Sequence, residues 1–131
     1  MTRPRSVVFV CLHGSAKSLI AATLAGRLAA QRGLSIRFSS AGTEPDPAVP
    51  SHVAEGLLAD GEDVTRLTPQ LASAATLSGA TLVVSFGPDV QSIAPADAAV
   101  EHWNDVPAVA EGYGPARDAI RQRVEGLLQR I

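Results

Sequence analysis

Residues 6–18 read Ser-Val-Val-Phe-Val-Cys-Leu-His-Gly-Ser-Ala-Lys-Ser, an apolar run that stops in small, polar and charged residues. Positions 6–10 show no polar alternation, so they predict a strand buried on both faces, as in a parallel sheet. Over 18–32 the pattern changes to helical spacing. Leu19, Ala22, Leu24, Leu28 and Ala29 share a broad face, and Gly33 is placed to end the helix. The stretch 11–17 is therefore a tight loop between the carboxyl end of a buried strand and the start of a helix.

The same alternation continues outward. A short strand is expected over 36–40, then a turn-rich segment to Pro50. A second helix starts at Pro50 or Ser51 and stops at Gly61. A weaker helical pattern covers 68–78, and a third apolar strand covers 82–86. A poorer fourth strand follows over 99–103. The last helix spans 115–131, with Ala116, Ile120, Val124, Leu127, Leu128 and Ile131 on one stripe. Strands alternating with helices imply a single α/β domain over 1–131, a parallel sheet with crossover helices on both faces. Ligands of such sheets bind beyond the carboxyl ends of the strands, where Cys11 falls.

Composition narrows the function. With 131 residues, 46% hydrophobic and 18% charged, the chain can bury a real core and is not disordered. Eleven basic and thirteen acidic residues give a net charge of −2, which argues against a nucleic-acid binder, and 4% aromatics argue against a base-stacking platform. The single cysteine excludes an intrachain disulfide and a Cys-rich zinc site. Cys11 with His13 does not complete a metal-ligand set, so neither metal nor cofactor is expected. The basic start and the apolar stretch 7–12 are too short for a secretory leader, and no stretch is long enough to span a membrane. The expected partners exclude membrane and nucleic acid, and the expected location is the cytoplasm.

The loop itself suggests chemistry. Gly14, Ser15 and Ala16 are small enough for backbone N–H groups of Leu12 to Lys17 to approach an anion. The helix N-terminus and Lys17 add positive charge. The same field favours a Cys11 thiolate, a nucleophile to which Ser18 can donate a hydrogen bond. His13 and Ser15 lie within reach of a bound anion. The plainer alternative is an inert buried thiol at a strand end with a simple turn after it.

Several segments in chain order resemble one family. Cys11, then five residues, a basic residue and Ser18, after Val-Val-Phe-Val, resembles the phosphate loop of low-molecular-weight protein tyrosine phosphatases and their arsenate-reductase relatives. Ser40-Ala41-Gly42-Thr43-Glu44-Pro45, with Val49-Pro50, Glu55 and Gly61, is similar to the block that follows in that family, above all in its reductase branch. Leu82-Val83-Val84-Ser85 falls at its third strand. Trp103-Asn104-Asp105-Val106-Pro107 resembles its general-acid loop, and Arg117-Asp118-Ala119-Ile120 its last helix.

The resemblance implies a four-stranded parallel sheet in the order 2-1-3-4, in a single three-layer domain. It also implies a hydrolase acting on a phosphomonoester, phosphotyrosine among the candidates, through a phosphocysteine. Cys11 would be the nucleophile. Leu12, His13, Gly14, Ser15, Ala16 and Lys17 would hold the oxyanion, Ser18 would assist the sulfur, and Asp105 would act as general acid. Two departures stand out. Lys17 replaces the family's Arg, a point charge in place of a planar fork. The chain also lacks the further thiols of reductases that recycle through internal disulfides. The competing functions are therefore arsenate reduction with an external thiol partner and a non-catalytic oxyanion-binding module. A phosphocarrier resembling the IIB component of sugar phosphotransferase systems is disfavoured by the 41–45 block and by Asp105. Thr43, Glu44 and Asp46 are expected near the mouth, with Asp46 shaping a turn. His52 and His102 are expected to be structural or exposed, Trp103 a packing residue, and Tyr113 part of a flexible stretch.

Overall fold

The computed structural model describes residues 5–131. Strand β1 (Arg5–Cys11) leads into helix α1 (Lys17–Gln31). Then follow β2 (Ile36–Gly42), α2 (Ser51–Ala59), β3 (Leu82–Ser85) and β4 (Ala99–His102). A 3₁₀ turn (Val109–Glu111) precedes α3 (Tyr113–Arg130). All strand pairs are parallel, in the order β2-β1-β3-β4.

β1 lies between two neighbours, and its side chains alternate between two buried layers. Val7, Phe9 and Cys11 enter the larger layer with α1, α2 and α3. Val8 and Val10 enter a smaller one with Ala72, Leu77, Ala80, Val83 and Val90. Both faces are covered, which is why the strand reads as continuously apolar. Phe9 and Trp103 are among the largest fully buried side chains. Burying a side chain of Phe9's kind contributes about 1.5–3 kcal/mol. Trp103 packs at a tilt against Phe9 and meets Phe86 edge-on, at ring separations of 5.7 and 5.6 Å. The expected packing role of Trp103 is what the structure shows.

Helices cover only one face, contrary to the expectation of helices on both. The helix expected over 68–78 is replaced by turns, although its apolar residues still seal the second face. The reason lies in side-chain competition for the backbone. The Thr76 hydroxyl bonds the carbonyls of Leu71 and Ser73, and the Ser73 amide donates to Thr76 Oγ1. Such local bonds offer the chain an alternative to helical hydrogen bonding. Helix ends were better signposted. Gly33 and Gly61 follow the ends of α1 and α2 with φ of 69° and 93°.

α3 starts at Tyr113, earlier than the sequence pattern suggested, and Tyr113 is fixed. Its hydroxyl donates to Asp60 at 2.7 Å, and Arg117 pairs with the same carboxylate at 2.9 Å. Burial alone would raise the Asp60 carboxyl. The Tyr113 hydroxyl and the Arg117 guanidinium outweigh it and hold the group below its ordinary value. No helix among the described residues is long and apolar enough to cross a membrane.

Candidate functional site

The carboxyl ends of β1 and β2 lie side by side, with Cys11 paired to Gly42. The segment after Gly42 binds the loop after Cys11 amide to carbonyl. Thr43, Glu44 and Asp46 donate their N–H groups to the carbonyls of Cys11, Leu12 and His13, at 3.2, 2.7 and 3.1 Å. In a trans peptide the C=O and N–H point in opposite directions. Fixing these carbonyls on the β2 side therefore turns the amides of Leu12, His13 and Gly14 the other way. The Gly14 amide shows the result: it donates to Cys11 Sγ at 3.2 Å. Gly14 has φ 64°, the left-handed region in which a residue without Cβ is at ease.

Cys11 is buried, with Ser18 Oγ 3.0 Å from its sulfur. Ser18 is fully buried in the first turn of α1, and no side chain caps that helix. The positive end of the helix dipole thus lies at the turn whose Ser18 contacts the sulfur. Lys17 borders the same site, and no carboxylate among the described residues pairs with it.

Together these groups line a cavity of about 330 Å³. Cys11, Leu12, His13, Ser15, Ala16 and Lys17 form one side, and Asp46, Pro50 and His52 form another. Phe86, Ala108, Val109 and Ala110 complete it. A second, larger hollow of about 620 Å³ runs between α1 and the edge strand β2, and Cys11 does not reach it.

The structure thus gathers Cys11, the loop residues expected to hold an anion, and Ser18. It does not bring Asp105 to them. That side chain is exposed and paired with Arg123, in a separate depression with Val106, Ala119 and Gln122. The hydrogen bond from Arg123 also holds its carboxyl below the ordinary value. The segment lining the cavity from that side is Ala108 to Ala110, which carries no ionisable side chain.

Two residues have a larger place than the sequence suggested. Asp46, expected near the mouth and shaping a turn, accepts a hydrogen bond from the buried Ser15 hydroxyl at 2.6 Å. His52, at the start of α2, is exposed as expected but borders the cavity. The signal for both was the length of the turn-rich segment after β2, long enough to fold over the loop.

Comparison with known proteins identifies the family and the fold. The low molecular weight phosphotyrosine protein phosphatase family matches over residues 6–111. The chain belongs to that family. Its fold is shared by YfkJ from Bacillus subtilis, at 21% identity and a TM-score of 0.85 over 99% of this chain and 96% of that one. A low molecular weight protein tyrosine phosphatase from T. tengcongensis is equally similar in shape, at 18% identity and a TM-score of 0.85, covering 97% and 99% of the two chains. An arsenate reductase in a phosphate-binding state superposes at 22% identity and a TM-score of 0.78, covering 97% and 98%.

Proposed function

We propose that this chain hydrolyses aryl phosphomonoesters through a covalent phosphocysteine on Cys11. The observation that carries this reading is the convergence on one sulfur of the Gly14 amide and the Ser18 hydroxyl, at the mouth of an uncapped helix. Hydrogen bonds to a sulfur favour its anionic, nucleophilic form. The inward amides and the Lys17 ammonium hold the phosphoryl oxygens while the thiolate attacks phosphorus. Leu12, Pro50, Phe86 and Val109 give the mouth apolar walls, which suit an aromatic leaving group such as that of phosphotyrosine.

The test is turnover of p-nitrophenyl phosphate by the wild type and by Cys11→Ser, with acid quenching and mass analysis for a phosphorylated cysteine. The expected result is turnover and a trapped phosphocysteine in the wild type, with neither in the variant. Arsenate-dependent oxidation of an added thiol without ester hydrolysis supports the reductase reading in its place. Phosphate binding with no turnover of either kind supports a binding module.

A further inference from the structure

A phosphate ester whose leaving group is a poor one needs a proton donor, and the wall from Ala108 to Ala110 supplies none. The ionisable side chains bordering the cavity are Cys11, His13, Lys17, Asp46 and His52. Cys11 is the nucleophile in the proposed reaction, and Lys17 offsets the phosphoryl charge. Asp46 is engaged by the Ser15 hydroxyl.

His13 is held in one orientation. Its Nδ1 lies 3.0 Å from the carbonyl oxygen of Glu44 and 3.5 Å from Asp46 Oδ1. A carbonyl oxygen only accepts, so Nδ1 carries the proton, and Nε2 is the nitrogen left for a ligand. An imidazole so held can carry a second proton at Nε2 and give it up there. Asp46 is itself fixed by Ser15 Oγ at 2.6 Å, and its amide bonds the His13 carbonyl at 3.1 Å. Ring, carboxylate and loop are thereby tied together.

We propose that His13 is the general acid and base of this site, and that Asp46 is its positioning residue. The assignment rests on the phosphocysteine reading above. In the first step Cys11 Sγ forms a bond to phosphorus as the bond from phosphorus to the ester oxygen breaks. The proton on Nε2 passes to that oxygen, and the alcohol leaves. In the second step neutral His13 takes a proton from water, whose oxygen bonds phosphorus. The sulfur–phosphorus bond breaks, and the thiolate and inorganic phosphate are released.

The experiment compares kcat/KM for phenyl phosphate and p-nitrophenyl phosphate, since kcat/KM reports the step in which the ester bond breaks. Phenol is a poor leaving group that needs the proton, and nitrophenolate is a good one that does not. His13→Gln should lower kcat/KM for phenyl phosphate by roughly 100-fold and that for p-nitrophenyl phosphate by less than about tenfold. Its inhibition constant for inorganic phosphate should stay near that of the wild type. Asp46→Asn should act in the same direction but more weakly, and it should add nothing to the ester ratio in a His13→Gln background. An equal effect of His13→Gln on both esters overturns the assignment, as does a leaving-group effect carried by His52→Gln in its place. In those cases wild-type turnover and the loss of activity in Cys11→Ser leave the phosphocysteine reading standing. A wild type inactive on both esters overturns the two together.

Discussion

Gly14 and Gly42 meet backbone to backbone. A Cβ on Gly42 would stand 2.4 Å from the nitrogen of Gly14, and one on Gly14 would stand 2.5 Å from the nitrogen of Gly42. Neither neighbour is a flexible side chain that can step aside. The contact sets how close the β2 end comes to the Cys11 loop, and so whether the amides of 43–46 can reach its carbonyls.

Gly42→Ala is therefore expected to lower stability by about 1–3 kcal/mol, the usual cost of overpacking. It should also weaken phosphate binding. Gly14→Ala should cost more, since it adds a left-handed φ to the clash. Urea titration and calorimetric phosphate titration of the two variants check this. Unchanged binding in Gly42→Ala would mean that the loop keeps its shape without the contact.

Ser18→Ala removes the hydroxyl 3.0 Å from Cys11 Sγ. At a hydrogen-bond worth of about 1 kcal/mol, alkylation of Cys11 by iodoacetamide at neutral pH should slow about fivefold. Phosphate should protect the thiol in both proteins. Equal rates with and without the hydroxyl would show that Ser18 only fills space.

Lys17 is the next variable. Lys17→Ala should weaken phosphate binding and lower turnover of p-nitrophenyl phosphate. Lys17→Arg should raise turnover by roughly tenfold, because a planar fork follows the equatorial oxygens of the transferring group better than a point charge. A fall with both substitutions would instead describe a loop fitted to lysine.

The Asp60 cluster gives a pH dependence with a definite sign. The folded-state carboxyl is held below its ordinary value of 3.8, so its stabilisation is complete above that value and fades as pH falls through the folded one. The stability gap between the wild type and Asp60→Asn should be full at neutral pH and shrink below about pH 4. Burial, then Asp60, raises the Tyr113 phenol above its ordinary 10.0. Its contribution is therefore complete below pH 10 and is lost only in stronger alkali. Tyr113→Phe should cost about 1 kcal/mol at neutral pH. Denaturant midpoints across the pH range check both signs.

What could be read in advance follows from how local each signal is. Strands β1 and β3 announce themselves because both of their faces are buried, and the Cys11 loop because it interrupts such a strand. The helical pattern at 68–78 misled because spacing reports which residues are apolar, whereas the Ser73 and Thr76 hydroxyls decide the backbone. The surroundings of Asp105 were not legible for a different reason. Its neighbours Trp103 and Pro107 match the family's acid loop, but whether a loop carboxylate faces a cavity or a guanidinium depends on residues far along the chain. Here Arg123 of α3 claims it. The Asp46–His13 pairing spans a separation that no periodicity encodes.

The walls around Cys11 come from stretches near 11–17, 46–52, 86 and 108–110. They meet only once parallel strands have been registered, and parallel strands cannot pair through a tight hairpin. A chain emerging from the ribosome holds the thiol long before it holds Phe86 or Val109. Non-local pairing of this kind is slow to form. Until it does, Cys11 lacks the burial that the folded protein gives it. Accessibility of this thiol is thus a clock for the maturation of the protein, and a brief alkylation during folding should mark the chains that have not yet finished.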